Sequence, residues 1–188
     1  NIQRYQILEE LGQGAMAEVY KAQDQRMNRT VAIKLLRKEH CVDVHYRQRL
    51  IREAKAVAKI PHENIVKVYD VGEDDNRPYI VMELLQGEFL DAWLRQHTTC
   101  PWQDVLIMAI NLASALVQAH AQQIIHRDIK PANIIWQAEK KQAKLTDFGI
   151  AHVETSTLET AYTQVGQLIG TPQYMAPEQI QGKQADNR

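Results

Sequence analysis

The chain has 188 residues, a formal net charge of -1 and 24% charged residues. With no basic excess, the composition does not indicate nucleic acid as a partner, and none is expected. No uninterrupted apolar run approaches the roughly 20 residues that span a bilayer and no signal peptide opens the chain, so we expect no membrane contact within it.

The first 85 residues show the pattern of a small sheet with one helix. Strands are predicted over 5–13, 17–24 and 30–36, where β-formers are separated by glycine or polar turns. A helix is predicted over 44–59, because Leu50, Ala54 and Val57 fall at helical spacing, and Pro61 ends it. Two further strands are expected over 65–71 and 79–84. Residues 1–85 therefore predict an α+β domain.

The pattern changes after Leu85, and residues 86–188 are predicted to form a second, mainly helical domain, with a hinge over 83–87. Pro101 suits the first position of a long, well-buried helix over 102–120, which ends shortly before His126. A strand is expected over 143–146. The apolar stripe that predicts the helix has a period of about 3.6 residues. It consists of Trp102, Val105, Leu106, Ala109, Ile110, Ala113, Leu116 and Val117.

A glycine-rich segment occupies the first predicted turn. Glycines allow a hairpin to lie close to phosphate groups without a clash from Cβ. The segment fits the pattern G-x-G-x-x-G-x-V, with Ala17 at the third glycine position. Taken alone, the segment is a weak signal and favours an ordinary glycine-rich hairpin turn. The segment consists of Leu11, Gly12, Gln13, Gly14, Ala15, Met16, Ala17, Glu18 and Val19.

Lys34 lies on the third predicted strand, at the end of the run Val31-Ala32-Ile33-Lys34. A lysine there can bind the α- and β-phosphates of a nucleotide, provided that a carboxylate fixes its position. Glu53 on the following helix is the candidate carboxylate. The alternative is a solvated lysine at a strand end, which is the usual environment of lysine.

The run His126-Arg127-Asp128-Ile129-Lys130-Pro131-Ala132-Asn133 carries the groups that phosphoryl transfer needs. Asp128 is the candidate base for the attacking hydroxyl, and Lys130 is placed to neutralise charge on the transferred phosphoryl group. Asn133 offers a neutral oxygen to Mg²⁺. The alternative is a charged turn after a helix.

Two later motifs complete the series. Asp147 in Asp147-Phe148-Gly149 is a hard oxygen ligand for the same metal. A run from Gly170 to Glu178 ends in Ala-Pro-Glu, and the hydroxyl-rich stretch before it contains Thr160 and Thr163. Phosphate added to such a stretch can order it, so these two threonines are candidate phosphorylation sites.

Together these motifs resemble the protein kinase superfamily, most closely the bacterial Hanks-type (eukaryotic-like) serine/threonine kinases. The resemblance implies an α+β, bilobal kinase-like fold, with a small five-stranded N-lobe containing one helix and a mainly helical C-lobe. It implies transfer of the γ-phosphoryl group of ATP to Ser and Thr of protein substrates, with Mg²⁺ or Mn²⁺ as metal. Autophosphorylation on the segment before Ala-Pro-Glu and activation as a homodimer are also implied.

The resemblance assigns further site residues. Thr171 holds Asp128 and Lys130 in place. The adenine-binding residues are Met82, Glu83, Leu85, Val19, Ala32 and Ile135. Glu83 and Leu85 contribute backbone groups, whereas Val19, Ala32 and Ile135 enclose the ring.

The resemblance also sets expectations for the whole protein. The family's larger lobe continues past Ala-Pro-Glu, so this chain is expected to be a piece of a longer kinase and weakly active by itself. Cys41 and Cys100 lie outside any CxxC pair and are expected to be free thiols in a reducing cytoplasm, with any membrane anchor outside this chain. A nucleotide-binding pseudokinase and a small-molecule phosphotransferase remain alternatives.

Overall fold

The computed structural model describes residues 1–14, 16–148, 172–181 and 186. The chain divides into two compact units. The first comprises Asn1–Pro61 and Val66–Gln86, and the second comprises His62–Ile65 and Gly87–Arg188.

The first unit is a five-stranded antiparallel sheet in the order β1-β2-β3-β5-β4, with helix α1 contacting β4 and β5. All five predicted strands and the predicted helix are present. Their bounds are β1 Tyr5–Gln13, β2 Ala17–Asp24, β3 Arg29–Leu36, α1 Val44–Val57, β4 Val68–Asp74 and β5 Arg77–Glu83. Asp43 caps α1 by accepting the backbone N–H of His45, as N-cap residues do.

Four predicted boundaries were wrong by two or three residues. The helix ends at Val57 and not at residue 59, because the N–H groups of Lys59 and Ile60 turn back to carbonyls three residues earlier. Strand β4 begins at Val68, since Ile65 makes only an isolated bridge to Leu145. Strands β4 and β5 both extend to a two-residue turn at Asp75 and Asn76, whose φ angles are 47° and 59°, as tight hairpins require.

The two faces of the sheet carry different sets of side chains. On antiparallel strands, side chains that are directly opposite each other lie on the same face of the sheet. Along one strand, every second side chain also lies on the same face. Val19 is paired with Lys34, and Ala32 with Met82, so these four side chains share one face. The opposite face carries a buried apolar cluster: Ile2, Tyr5, Ala22, Val31, Ile33, Leu35, Tyr79 and Val81.

The second unit combines helices with a three-stranded sheet in the order β6-β7-β8. Its elements are β6 Glu88–Phe89, α2 Leu90–Gln96, α3 Trp102–Ala121, β7 Ile134–Gln137, β8 Gln142–Leu145 and α4 Pro177–Ile180. The long helix and the strand near residue 143 agree with the predictions, whereas β6 and α2 were missed. Pro101 stands one position before the first helical residue, with an extended backbone.

The face on which α3 packs is not the predicted one. Much of the predicted stripe is exposed, with Trp102 69% and Val117 70% accessible. The buried residues of α3 are Asp104, Met108, Ala115 and Ala119. The helix is apolar around most of its circumference, so the hydrophobic period alone did not determine which side packs. The expectation of a well-buried stripe was therefore wrong.

Helix α3 also meets the length and composition of a membrane span, with a mean hydropathy of 1.4 over an 18-residue window. This corrects the expectation that no segment of the chain has the length and composition of a membrane span. One such helix is weak evidence for a span, and α3 makes polar contacts within the unit. Lys141 Nζ lies 2.8 and 2.7 Å from the carboxylate oxygens of Asp104, and Asn111 Oδ1 accepts the N–H of Ala143 on β8.

A buried carboxylate joins the ends of strands in the first unit. Asp24 is 0% exposed and accepts the backbone N–H groups of Arg26 and Met27. Its oxygens also lie 3.4 Å from Arg4 Nε and 3.7 Å from Arg29 Nε. Removing a buried charge from such a pair leaves its partners uncompensated.

We expect Asp24→Asn to lower the free energy of unfolding by about 2 kcal/mol, less than for a fully buried pair because both arginines are partly exposed. Urea unfolding checks this value. Asp75→Asn is the matched control, since Asp75 is 81% exposed and 3.9 Å from Lys38. Equal unfolding midpoints for the two variants would contradict the prediction.

Candidate active site

The glycine-rich turn is held by backbone and side-chain contacts within the first unit. Gly14 donates its N–H to Ala17 O at 2.8 Å, and Arg37 donates its backbone N–H to Met16 O at 2.9 Å. The Arg37 guanidinium also donates to Gln13 Oε1 at 3.1 Å. The backbone around Gly12 is open, since a Cβ there would meet no atom within 4 Å.

The side chain of Glu18 points to the face opposite Lys34, because it precedes Val19 on β2. Arg77 Nη2 donates to Glu18 Oε2 at 2.8 Å, and the hydroxyl of Tyr20 donates to the same oxygen at 3.2 Å. Arg77 Nε donates to Leu36 O at the end of β3. The hydrogen bond from Arg77, followed by that from Tyr20, outweighs burial and lowers the pKa of Glu18. The side chain of Glu18 is thus bound to its own sheet.

Lys34 and Glu53 are both partly buried, on β3 and α1 respectively. Glu83 at the end of β5 is fixed by Lys67. Its N–H donates to Lys67 O at 2.9 Å, and its carboxylate accepts the Lys67 N–H at 2.7 Å. Leu85 follows at the end of the unit and is partly buried.

The carboxylate of Asp128 is surrounded by donors of its own loop in the second unit. Asn133 Nδ2 donates to Asp128 O at 2.7 Å and to Asp128 Oδ2 at 2.8 Å. Lys130 Nζ lies 2.9 Å from the same Oδ2, and both side chains of this ion pair are at most 20% exposed. The structure thus brings together the three residues that the sequence singled out in this run.

The buried side chain of His126 contacts the backbone of this loop. It is 1% exposed, and its ring lies 4.6 Å from that of Phe148. Nε2 is 2.8 Å from Thr146 O, and Nδ1 is 3.2 Å from the backbone N of Asp128. A carbonyl accepts and an N–H donates, so these contacts together require the neutral tautomer protonated on Nε2.

The β7–β8 hairpin brings the two predicted metal ligands to one end. Asn133 immediately precedes β7, Asp147 follows β8 by two residues, and Ile134 is paired with Leu145. The N–H of Thr146 donates to Asn133 O at 3.0 Å. Because Nδ2 of Asn133 faces Asp128, its Oδ1 is turned the other way. An amide oxygen and a carboxylate are oxygen ligands of the kind that Mg²⁺ binds alongside water and phosphate.

Some predicted residues fall outside the described part of the chain, namely Ala15, Thr160, Thr163 and Thr171. Ile135 is partly buried on β7, opposite Lys144. Among the polar residues that the sequence did not single out, those that reach candidate residues over the longest stretches of chain are Arg37, Arg77 and Gln179. Their partners lie between 24 and 59 residues away along the chain, so no local pattern indicated them.

Comparison with known proteins identifies the family. The model of the protein kinase domain matches residues 5–188. The chain belongs to the protein kinase domain family. It is 40% identical to the serine/threonine-protein kinase PrkC of Bacillus subtilis over 95% of this chain and 27% of that protein. It is 42% identical to the serine/threonine-protein kinase PksC of Streptomyces coelicolor, over 98% of this chain and 34% of that protein.

A solved structure confirms the predicted α+β kinase-like fold. The kinase domain of Mycobacterium tuberculosis PknI superposes with a TM-score of 0.79 at 28% identity, covering 100% of this chain and 69% of that one. The predicted similarity to bacterial Hanks-type kinases is confirmed as well. This kinase domain spans about a quarter to a third of the length of the curated relatives named above.

The contact between Glu18 and Arg77 predicts a specific response to acid. Because the pKa of Glu18 in the folded protein is lowered below its ordinary value of 4.5, the stabilisation is present above that value and is lost as the pH falls through the folded-state pKa. Arg77→Gln should raise the pKa of Glu18 toward 4.5 and reduce this acid-dependent loss of stability. An NMR titration of the Glu18 carboxyl group measures the pKa. The control is Arg95→Gln, which removes an exposed pair with Asp91 in the other unit, and an unchanged Glu18 pKa in Arg77→Gln would contradict the assignment.

Proposed function

We propose that this kinase domain transfers the γ-phosphoryl group of ATP to Ser and Thr hydroxyls of protein substrates. The observation that carries the proposal is the arrangement around Asp128, where a lysine and an amide hold one carboxylate at 2.8–2.9 Å. The relatives named above are serine/threonine-protein kinases, which supports the choice of protein hydroxyls as acceptors.

In this proposal Asp128 orients the attacking hydroxyl and accepts its proton. Lys130 contributes positive charge where the transferred phosphoryl group develops negative charge. Lys130 and Asn133 bind the same Oδ2 of Asp128, so the orientation of the carboxylate is fixed by residues of its own loop. The mechanism therefore depends mainly on positioning and electrostatics.

The first unit is proposed to hold the nucleotide. Lys34, aligned by Glu53, binds the α- and β-phosphates, and the backbone of the glycine-rich segment covers them. Val19, Ala32 and Met82 share the sheet face of Lys34 and provide an apolar surface for adenine. Glu83 and Leu85 are proposed to offer backbone groups to the base.

Asn133 and Asp147 are the residues proposed to hold the metal, Mg²⁺ or Mn²⁺. When bound, the metal would neutralise negative charge that builds on the phosphate oxygens during transfer. The backbone of Asp147 has a φ angle of 60°, which is unusual for a residue other than glycine. Such strained residues persist where their surroundings determine the conformation.

The setting of this activity is also a proposal. We propose autophosphorylation on threonines between Gly149 and Gly170, activation through a homodimer, and a cytoplasmic kinase domain whose protein is anchored, if at all, through another segment. The isolated chain is proposed to be weakly active, because the exposed apolar side chains of α3 favour aggregation. Activity is therefore best measured in the full-length protein.

We expect the full-length protein to add phosphate to itself with Mg²⁺ and ATP, and Asp128→Asn to reduce the rate at least 100-fold, since general-base catalysis contributes about that factor. Intact mass with site mapping measures the product. Binding of ATP by Asp128→Asn at wild-type affinity is the control for folding. ATP binding without any added mass in the wild type would favour the pseudokinase, and phosphate transferred only to small molecules would favour the small-molecule phosphotransferase.

Lys34→Met should weaken ATP binding and lower kcat/KM by about 100-fold or more, because a preorganised cation on the phosphates of the nucleotide often contributes that much. Steady-state kinetics and thermal unfolding are measured side by side. Lys21→Met is the matched control, since Lys21 lies on the adjacent strand and pairs with exposed Glu9. A Lys34→Met variant with wild-type kcat/KM would refute the role of Lys34.

A further inference from the structure

The peptide group between Arg127 and Asp128 is held at both ends within the second unit. A peptide group is planar, so its C=O and N–H move together. The N–H belongs to Asp128 and is directed at His126 Nδ1, 3.2 Å away. The C=O belongs to Arg127 and accepts a hydrogen bond from Gln179 Nε2 at 2.9 Å. Rotation of this group would break both contacts.

The backbone conformation of Arg127 requires contacts that hold this peptide group in place. Its φ angle is 66°, in the left-handed region that non-glycine residues rarely occupy. A residue in that region stays there only when its surroundings favour the conformation. Arg127 is itself exposed, so its own side chain is not packed in a way that fixes the backbone.

Gln179 can hold the Arg127 carbonyl in place because its side-chain amide is fixed by a second hydrogen bond. It is the third residue of α4, and its Oε1 accepts the N–H of Ala176 at 3.1 Å, before the first turn. This is the contact that Gln or Glu makes at the same position of a capping box. With Oε1 bound to the start of the helix, Nε2 is directed at Arg127 O.

We propose that Gln179 is a positioning residue for Asp128. It connects the start of α4 to the catalytic loop and keeps the peptide group before Asp128 in the orientation that the carboxylate needs. This role rests on the proposed kinase function of Asp128. Gln179 is not among the residues proposed to bind the nucleotide or the hydroxyl, so its loss should affect the chemical step more than the binding of ATP.

The sharpest test is Gln179→Glu, which preserves the size of the side chain and the oxygen that accepts the Ala176 N–H. Only the donor to Arg127 O is lost, and an oxygen is placed against that carbonyl. We expect kcat of the full-length protein to fall by about 10- to 100-fold, since a misplacement of about 1 Å can cost a factor of about 100. The KM for ATP, the ATP affinity and the melting temperature should remain near wild type.

The matched control is Gln181→Glu, which makes the same charge change on an exposed residue two positions further on. It should keep wild-type kcat. Gln179→Met removes both polar contacts without adding a charge and should lower kcat as well, which separates loss of the donor from repulsion by the new carboxylate.

A second readout does not depend on turnover. The amide proton of Asp128 reports the orientation of the peptide group, so Gln179→Glu should change its NMR chemical shift and accelerate its exchange with solvent, whereas Gln181→Glu should not. An unchanged Asp128 amide overturns the proposal even if the domain proves to be a pseudokinase. Equal kcat for Gln179→Glu and wild type, or a loss of kcat that follows a matching loss of thermal stability, also overturns it.

Discussion

The fixed orientation of the Asp128 carboxylate is the constraint on which the rest of the candidate site depends. Asn133 and Lys130 bind one of its oxygens, and both members of the Asp128–Lys130 pair are at most 20% exposed. Water competes less for polar groups in such surroundings, so hydrogen bonds and ion pairs have more influence there than on an open surface. The cost of burying these groups is offset by the contacts that Asn133 and Lys130 make with Oδ2 of Asp128.

The same constraint explains the order of elements along the chain. Asn133 can reach Asp128 only because the chain turns through a short 3₁₀ segment, Pro131–Asn133, before β7 begins. The β7–β8 hairpin then returns the chain to Asp147, and the carbonyl of Thr146 meets the ring of His126. A hairpin of four-residue strands thus places both proposed metal ligands at one end, where Asn133 contacts the proposed base Asp128.

Much of this arrangement was predictable from the sequence, for a physical reason. The strands of the first unit alternate in polarity and are interrupted by glycine and polar turns, so their existence and order could be inferred to within three residues at each end. The run 126–133 predicted that a carboxylate, a lysine and an amide would act together, and the structure brings these three side chains into contact. The resemblance to kinases added the pairing of distant motifs, which spacing alone does not supply.

The features that the sequence did not predict have either no clear hydrophobic period or contacts between residues far apart in the chain. Helix α3 is apolar around most of its circumference, so its period could not identify the packed side, which the Asp104–Lys141 contact helps to determine. Helix α2 has seven residues, too few for a clear period. Gln179 stands on a four-residue helix, and its contact with Arg127 spans 52 residues. Such polar contacts depend on the finished fold, not on local pattern.

The glycine-rich turn shows why the finished fold matters for function. Glycines permit many backbone conformations, so they allow the turn but do not select its shape. Selection comes from two arginines, Arg37 at the end of β3 and Arg77 at the start of β5, which bind Gln13 and Glu18. Glu18 and Lys34 project to opposite faces of the sheet, so the Arg77 contact fixes the turn without occupying the face proposed to bind phosphate. Kinase domains with the same glycine pattern but other residues at positions 37 and 77 should therefore hold this turn differently.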